Sequence, residues 1–513
     1  MRKTLAPLII LCLVLFSCEH LDDFVGHSDD DNGEDTAENI NFKYASTFLV
    51  GGEGAAEISA YDALTQRLFI TNAETDVVSV LDVADINNAV FVADITLNGV
   101  GAPNSVSVSN GKLAVAVEAE IKQDPGYIKI YDTESLAFEG AFDVGPLPDM
   151  VTFSPDGNLL VVANEGEPNG DYTVDPEGYV SVIELETGMV YNLDFNAFNG
   201  EEEVLETQGF RVFGPGATLA MDVEPEYVAI SDDSKTAWVT LQENNGVAVV
   251  NLETKTIEAI VPLGYKDYSV PGNEIDPSNE DGKFELRNVP VFGTYHPDAI
   301  AYYSVNGMDY VVTANEGDAR EYEGEPGFIE EERIKDIVLD PTVFPDFEEL
   351  QAEENLGRLK ITTTKGDIDD DGDFDELYSF GARSFTIWSG SGQLVYDSGN
   401  DIAVKTLDLT PEAFNGGVEP DDRSDDKGAE PEAVTVKEIN GKQILFVGLE
   451  RNNQVMVYDV SNPSNPTFLQ ILSHNGDIGP EGVLVIGADE SPNGKTLLVV
   501  SNEVSGTVSF YQN

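Results

Sequence analysis

The chain has almost no sulfur, imidazole or indole chemistry. Its 513 residues include two cysteines, four histidines and two tryptophans. Cys12 and Cys18 both sit near the N-terminus, so the body of the chain has neither a disulfide nor a thiol nucleophile. His20 and His27 lie in an acidic N-terminal stretch, which leaves His296 and His474. Two imidazoles are too few for a His-rich zinc site. Positive charge is equally scarce, with 27 Lys+Arg against 95 Asp+Glu and a formal net charge of −68. Phosphate binding needs cationic side chains that displace counterions, so nucleic acid is excluded as a partner. Docking on anionic lipid is disfavoured for the same reason. A cation, a cationic partner or a neutral surface remains. No apolar run reaches the roughly 18 residues of a membrane-spanning helix. Helical patterning is nearly missing, apart from a short stretch around Asn199 to Thr207. There is no G-x-S-x-G elbow, P-loop or dinucleotide fingerprint. A Ser-His-Asp site would have to use His296 or His474, and nothing selects a serine. His296, just before Pro297-Asp298, reads as a buried or turn histidine rather than a proton carrier.

The N-terminal end reads as a processing and anchoring segment. Arg2 and Lys3 precede an apolar stretch from Leu5 to Phe16, too short for a stable membrane span. Leu15-Phe16-Ser17-Cys18 resembles a bacterial lipobox, departing from it at Phe16, where a small residue is usual. Residues 1–17 are therefore expected to be a lipoprotein signal peptide, with Cys18 as the lipidated first residue. Residues 18–40 are expected to be a disordered tether: nine of the residues from Glu19 to Glu38 are acidic, and such a stretch self-repels. Acids directly behind the lipid cysteine resemble the surface-export signal of Bacteroidetes lipoproteins. The expected location is the outer membrane, on its inner or its outer face, with the lipid as the only membrane contact.

From residue 41 to 513 one pattern recurs. An acid opens an alternating strand, a turn leads to a second apolar strand ending in small or polar residues plus Glu, and a V-x-V-x-D strand follows. Clear cases are Pro148-Asp149-Met150-Val151 with Val161-Val162-Ala163-Asn164-Glu165, and Pro297-Asp298-Ala299-Ile300 with Val312-Thr313-Ala314-Asn315-Glu316. Others open at Pro225, Pro431 and Pro480, with two earlier units near Glu57 and Asn104. Period-2 alternation, β-branched residues and Gly/Asp/Asn turns specify strands. Units of three or four strands must stack on neighbours, and seven of them in a ring make a β-propeller. The expected fold is an all-β, seven-bladed β-propeller with long loop insertions. Eight blades are the alternative, if Ser384–Trp388 and Leu394–Asp397 form an extra unit. The mean spacing, about 65 residues, exceeds the roughly 40–50 of compact propeller repeats. The excess is assigned to insertions near 187–222, 255–294, 318–357 and 364–430. A strand at Ser46–Val50 is expected to close the ring beside Val508–Tyr511.

Several of these motifs carry a family resemblance. The run from Pro148 to Gly157, Ala163-Asn164-Glu165-Gly166-Glu167-Pro168, Ala314-Asn315-Glu316-Gly317-Asp318-Ala319-Arg320 and the run from Glu376 to Phe385 resemble the bacterial choice-of-anchor I family. That family is similar to mesenchyme-specific cell-surface glycoproteins of biomineralising animals. The resemblance covers nearly all of the chain after residue 45 and implies a surface-anchored propeller. It brings no established catalytic residues, although some members are labelled alkaline phosphatases.

In antiparallel neighbours the start of the first strand and the end of the second lie at the same edge. The pattern therefore predicts a carboxylate-lined channel mouth made of Glu57, Glu74, Glu118, Asp149, Glu165, Glu226, Glu243, Asp298, Glu316, Glu432, Glu450, Glu481 and Glu503. Like charges at this density raise carboxyl pKa values and call for compensating cations. Oxygen ligands without nearby thiols or imidazoles favour Ca²⁺ or Mg²⁺, so Ca²⁺ is the expected cofactor. A second candidate cation site is the D-x-D-x-D-G run with Asp367, Asp369, Asp371, Asp373 and Asp375. Tyr378 stands at its twelfth position, where an EF-hand has Glu. The acidic patch from Glu419 to Asp426 reads as a surface loop.

Two functions fit this inventory. One is a surface-tethered, calcium-stabilised binding propeller, monomeric, holding a small-molecule, peptide or glycan ligand at the channel mouth or on its insertions. The other is a calcium-dependent phosphoesterase, of the kind that propeller phytases represent, with Glu165, Glu167, Glu316 and Asp318 as metal ligands. Arg320, Arg383 or Arg451 would then bind the anion and stabilise transition-state charge.

Overall fold

A computed structural model describes residues 40–97 and 101–513. The expected signal peptide, Cys18 and nearly all of the expected tether lie outside the described residues.

The alternating segments form seven four-stranded antiparallel sheets among the described residues. Their first strands are Ser59–Asp62, Pro103–Ser109, Pro148–Phe153, Pro225–Ile230, Pro297–Val305, Pro431–Ile439 and Pro480–Ile486. Each first strand packs against the next around the set, and the last packs against the first. The sheets thus close a ring, as in a β-propeller, with the first strands innermost. The seventh sheet is completed by the N-terminal strand Lys43–Leu49, which pairs antiparallel with Thr507–Gln512 as expected. This joins the two ends of the domain and covers a sheet edge.

Apolar side chains on both faces of each sheet feed cores between neighbours. Ala114, Ile128 and Ile130 of the second sheet meet Val151, Leu160 and Val162 of the third. Phe446, Val455 and Val457 of the sixth meet Leu498, Val500 and Tyr511 of the seventh. Near-continuous Val/Leu/Ile runs in the middle strands follow from burial on both faces.

Two expectations are corrected. Ser384–Ser389 and Leu394–Asp397 are not an extra unit: they are the third and fourth strands of the sheet that opens at Pro297, paired through Met308–Asn315. The chain leaves that sheet after its second strand and returns some 70 residues later. The insertion boundaries also shift, because Met189–Asp194 and Thr256–Pro262 are outer strands. Outer strands alternate weakly, since one face meets water, and they blend into the loops beside them. The short helix expected near 199–207 occurs at Glu202–Glu206. The insertions gather a core of their own from Tyr268, Ile275, Val291, Ile334, Leu356, Leu359, Ile361 and Leu377.

Candidate functional site

Local backbone geometry explains how the acids reach the channel. In six of the seven sheets the first strand opens with Pro and has a register shift directly after it. The residues in the shift are Asn104, Asp149, Glu226 with Tyr227, Asp298 with Ala299, Glu432 with Ala433, and Glu481. Such a bulge leaves an extra residue outside the ladder and re-aims its side chain. Pro tolerates the strand's first position because it has no ladder N–H to offer. At the other partner's end a buried Asn often precedes the acid. Asn164 donates to Ser181 Oγ at 3.0 Å, Asn315 to Thr386 Oγ1 at 2.8 Å and Asn502 to Ser509 Oγ at 3.0 Å. These side chains tie the second strand to the third just where the chain turns outward.

The result is a polar channel cavity of about 410 Å³. Ten carboxylates line it: Asp149, Glu165, Glu226, Asp298, Glu316, Asp318, Glu432, Glu450, Glu481 and Glu503. The cations in the lining are Lys427 and Arg451. Lys427 bridges Glu316 at 2.9 Å and Asp318 at 3.1 Å, and Arg451 bridges Glu450 at 2.8 Å. Gln242 donates to the other Glu316 oxygen at 2.8 Å. Asp149, Glu165, Glu226, Asp298, Glu432, Glu481 and Glu503 have no ion-pair partner among the described residues. Burial, reinforced by neighbouring carboxylates, holds the carboxyls of Glu226, Asp298, Glu432 and Glu481 well above the ordinary range. Glu57, close behind the lining, is pushed up to about 8 by burial and then by Glu503 and Asp149.

A second polar pocket of about 450 Å³ opens beside the channel and shares Glu165, Glu226, Asp318 and Lys427 with it. Glu167, Glu224 and Glu243 line this pocket. Glu74 and Glu118 line neither cavity. Glu74 accepts the Gly52 N–H at 2.7 Å, and Glu118 sits 4.0 Å from Lys122.

The three arginines expected to bind anions differ in fate. Arg320 is only 2% exposed, with Asp222 at 2.9 Å and Glu224 at 3.0 Å, and its guanidinium lies over the Phe213 ring. Arg383 donates to the backbone carbonyls of Asp276, Ser424 and Asp426. Both are committed to holding insertions onto the ring, and neither faces the channel. Arg451 does face it, with a side chain 34% exposed and paired to Glu430 and Glu450.

Glu419 to Asp426 is a further correction. Asp421, Asp425 and Asp426 are buried, not part of a solvated loop. Asp425 pairs with Arg333 and Arg358, and Asp426 with Lys360 and Arg423. His296 is fully buried. Its Nε2 meets Arg211 Nη1 at 2.8 Å, and its Nδ1 lies 2.8 Å from the Asp318 carbonyl. Burial and the Arg211 charge hold its pKa well below the usual imidazole value, so the ring stays neutral and positions the Asp318 turn.

In the acidic loop, Asp367, Asp369 and Asp375 offer carboxylate oxygens within 4.8 Å of one another, as do Asp340, Asp373 and Asp375. Asp371 instead accepts the Asp373 N–H at 3.3 Å. Asp340 went unnoticed in the sequence because it lies 27 residues upstream of Asp367. Lys427, Glu430 and Glu224 were missed for a similar reason. For Glu224 and Glu430 the only sequence signal is a charge beside a repeat-opening Pro, as in Glu224-Pro225-Glu226 and Glu430-Pro431-Glu432, and Lys427 has none.

Fold and site together define an acid-lined β-propeller. The chain belongs to the choice-of-anchor I domain family, whose model matches residues 57–463. Among relatives, it is 27% identical over 368 residues to the mesenchyme-specific cell surface glycoprotein of Strongylocentrotus purpuratus, covering 63% of this chain and 46% of that protein. It is 30% identical over 188 residues to Gigasin-3a of Magallana gigas, covering 32% of this chain and 66% of that protein. The chain thus matches less than two thirds of either relative's length. Among solved structures it is similar to the hydrazine synthase of Kuenenia stuttgartiensis, with TM-score 0.48, 12% identity, and 90% of this chain and 96% of that chain covered. Similarity to the Cps50 (Swd1) β-propeller domain of Myceliophteria thermophila has TM-score 0.44, 7% identity, and coverage of 92% and 100%.

Proposed function

We propose that this protein is a surface-anchored propeller that binds divalent cations, Ca²⁺ foremost, at the channel mouth and presents them to a ligand or partner. The observation that carries this reading is the set of bulge-borne acids Asp149, Glu226, Asp298, Glu432 and Glu481, aimed into one cavity without ion-pair partners among the described residues. Glu165 and Glu503 join them from the second strands. Hard oxygen donors in this number suit Ca²⁺, which accepts six to eight ligands in flexible geometry. Glu316 and Asp318 are weaker ligand candidates, since Lys427 already neutralises them. The loop acids Asp367, Asp369, Asp373 and Asp375, with Asp340, are a second and structural Ca²⁺ site on this reading. Anchoring through a lipid on Cys18, in the outer membrane, rests on the lipobox-like segment, and surface display on the likeness to a cell surface glycoprotein.

Exposure of Arg451 at the channel rim favours a second reading, a calcium-dependent phosphoesterase, in which Ca²⁺ held near Glu165 and Glu167 would polarise a phosphate. The commitment of Arg320 and Arg383 elsewhere leaves that reading with one of its three arginines. Calcium titration calorimetry on the chelated protein separates the cases. Glu226→Gln/Glu432→Gln is expected to remove the channel heat and Asp367→Asn/Asp375→Asn only the loop heat. Unchanged heat in the channel variant would refute the channel assignment. Calcium-dependent phosphate release lost in Arg451→Met would favour the phosphoesterase.

A further inference from the structure

The side pocket differs from the channel in the kind of cation it fits. Glu243 follows the second strand of the fourth sheet, Thr236–Leu241, and is only 7% exposed. Its Oε2 has no hydrogen-bond partner among the described residues. Nearby Glu224 is 3% exposed, and Arg320 takes one of its oxygens at 3.0 Å. Arg320 also pairs with Asp222, so its single charge is spread over Asp222, Glu224 and Glu243 and offsets the last only in part. The bases across the pocket are spoken for: Lys360 and Arg423 hold Asp426 at 3.2 and 2.9 Å, and Lys427 holds Asp318 at 3.1 Å. A buried carboxylate oxygen is costly to leave without a partner, so a missing donor is implied.

The size of the pocket and the nature of its walls suit a larger donor than a bare metal ion. Its acids stand apart around about 450 Å³, room for a group of several atoms. Tyr322 adds an aromatic side chain to the lining, of the kind that attracts organic cations. Exposed Glu321 marks the rim and a route from solvent.

We propose that the side pocket binds an organic cation, an ammonium or guanidinium group, with Glu243 as its anchor and Glu224 and Tyr322 as flanking contacts. Several N–H donors on one planar or tetrahedral head would reach oxygens that a single ion cannot bridge. The group would come from a free amine or from a Lys or Arg side chain of a partner. This assignment stands whether or not the channel holds metal.

Calorimetry with agmatine, and separately with an N-acetyl-Arg-amide capped peptide, tests it on the full chain at saturating Ca²⁺. Binding of agmatine alone assigns the pocket to small amines, and binding of both assigns it to side chains entering end-on. Glu243→Gln keeps the shape and is expected to weaken the probe about tenfold or more. Tyr322→Leu is a second variant with the same expected direction, should Glu243→Gln not fold. Absence of binding by both probes, or equal affinity in Glu243→Gln, would overturn the proposal. So would binding seen only in chelator and abolished by Ca²⁺, since the guest would then be reading the channel.

Discussion

Raising the pH should destabilise the metal-free protein, and calcium should cancel the effect. The folded state holds Glu57 protonated up to about 8, against an ordinary value of 4.5. A carboxyl with a raised folded pKa contributes stability that is complete below its unfolded pKa and lost as pH climbs through the folded one. Between pH 5.5 and 8, at about 1.4 kcal/mol per pKa unit, Glu57 alone would lose about 3 kcal/mol, or about 1.5 kcal/mol after discounting for its contact with solvent. Glu226, Asp298, Glu432 and Glu481 are raised in the same direction by burial and by one another. These groups add to the loss from Glu57 in the same direction. For a folded unit of this length, with an unfolding entropy of about 1 kcal/mol/K, Glu57 alone corresponds to a fall in Tm of about 1.5 °C. The assay is a thermal melt in chelator at pH 5.5, 6.5, 7.5 and 8, repeated with millimolar Ca²⁺. The expected result is a falling Tm in chelator and a flat or rising one in Ca²⁺. A Tm that holds or rises with pH in chelator would refute the claim that the channel acids are buried and uncompensated. Glu57→Gln should flatten the slope without a large change at pH 5.5.

Arg320→Met should destabilise the fold by about 3–5 kcal/mol, because Asp222 and Glu224 would be left buried and unpaired; denaturant melts measure it, and a loss below 1 kcal/mol would show the pair to be hydrated. Gly317→Ala should be severe at the channel wall. The glycine has φ +110°, and a Cβ there would stand 2.2 Å from the Gly381 backbone nitrogen. Expected outcomes are a lowered Tm and weakened calcium heat, since Glu316 and Asp318 flank the crossing. Removing residues 1–50 should uncover Thr507–Gln512 and leave the ring joined only by its side-chain contacts. Faster hydrogen exchange confined first to the seventh sheet is the expected signature; unchanged exchange there would mean that the N-terminal strand does not close the ring.

Sequence by itself determined the class of fold and the sites of the acids along it. Period-2 alternation fixes strands because side chains on a strand point alternately to two faces. Recurrence of Pro-acid and Asn-Glu at matching places fixes which strands are first and second in each sheet. Antiparallel pairing then puts their acidic ends together. The joining of Lys43–Leu49 to the C-terminal strand was legible for the same reason. The outer strands, which alternate weakly, were not, and the return of Ser384–Ser389 into the sheet begun at Pro297 was hidden by the long excursion between them.

Only the tertiary structure decided which charges remain free. Arg320, Arg383 and the acids from Asp421 to Asp426 look like surface or site residues in the sequence. Folding buries Arg320, Arg383, Asp421, Asp425 and Asp426, with partners from distant segments: Asp222 and Glu224 for Arg320, backbone carbonyls for Arg383, and Arg333 and Arg358 for Asp425. Lys427 and Arg451 likewise neutralise Glu316 and Glu450, while Asp149, Glu226, Asp298, Glu432 and Glu481 are left without an ion-pair partner among the described residues. An ion pair depends on distances of a few ångströms between segments up to hundreds of residues apart, and no local pattern encodes that. Periodicity writes where a carboxylate points; packing decides whether anything answers it.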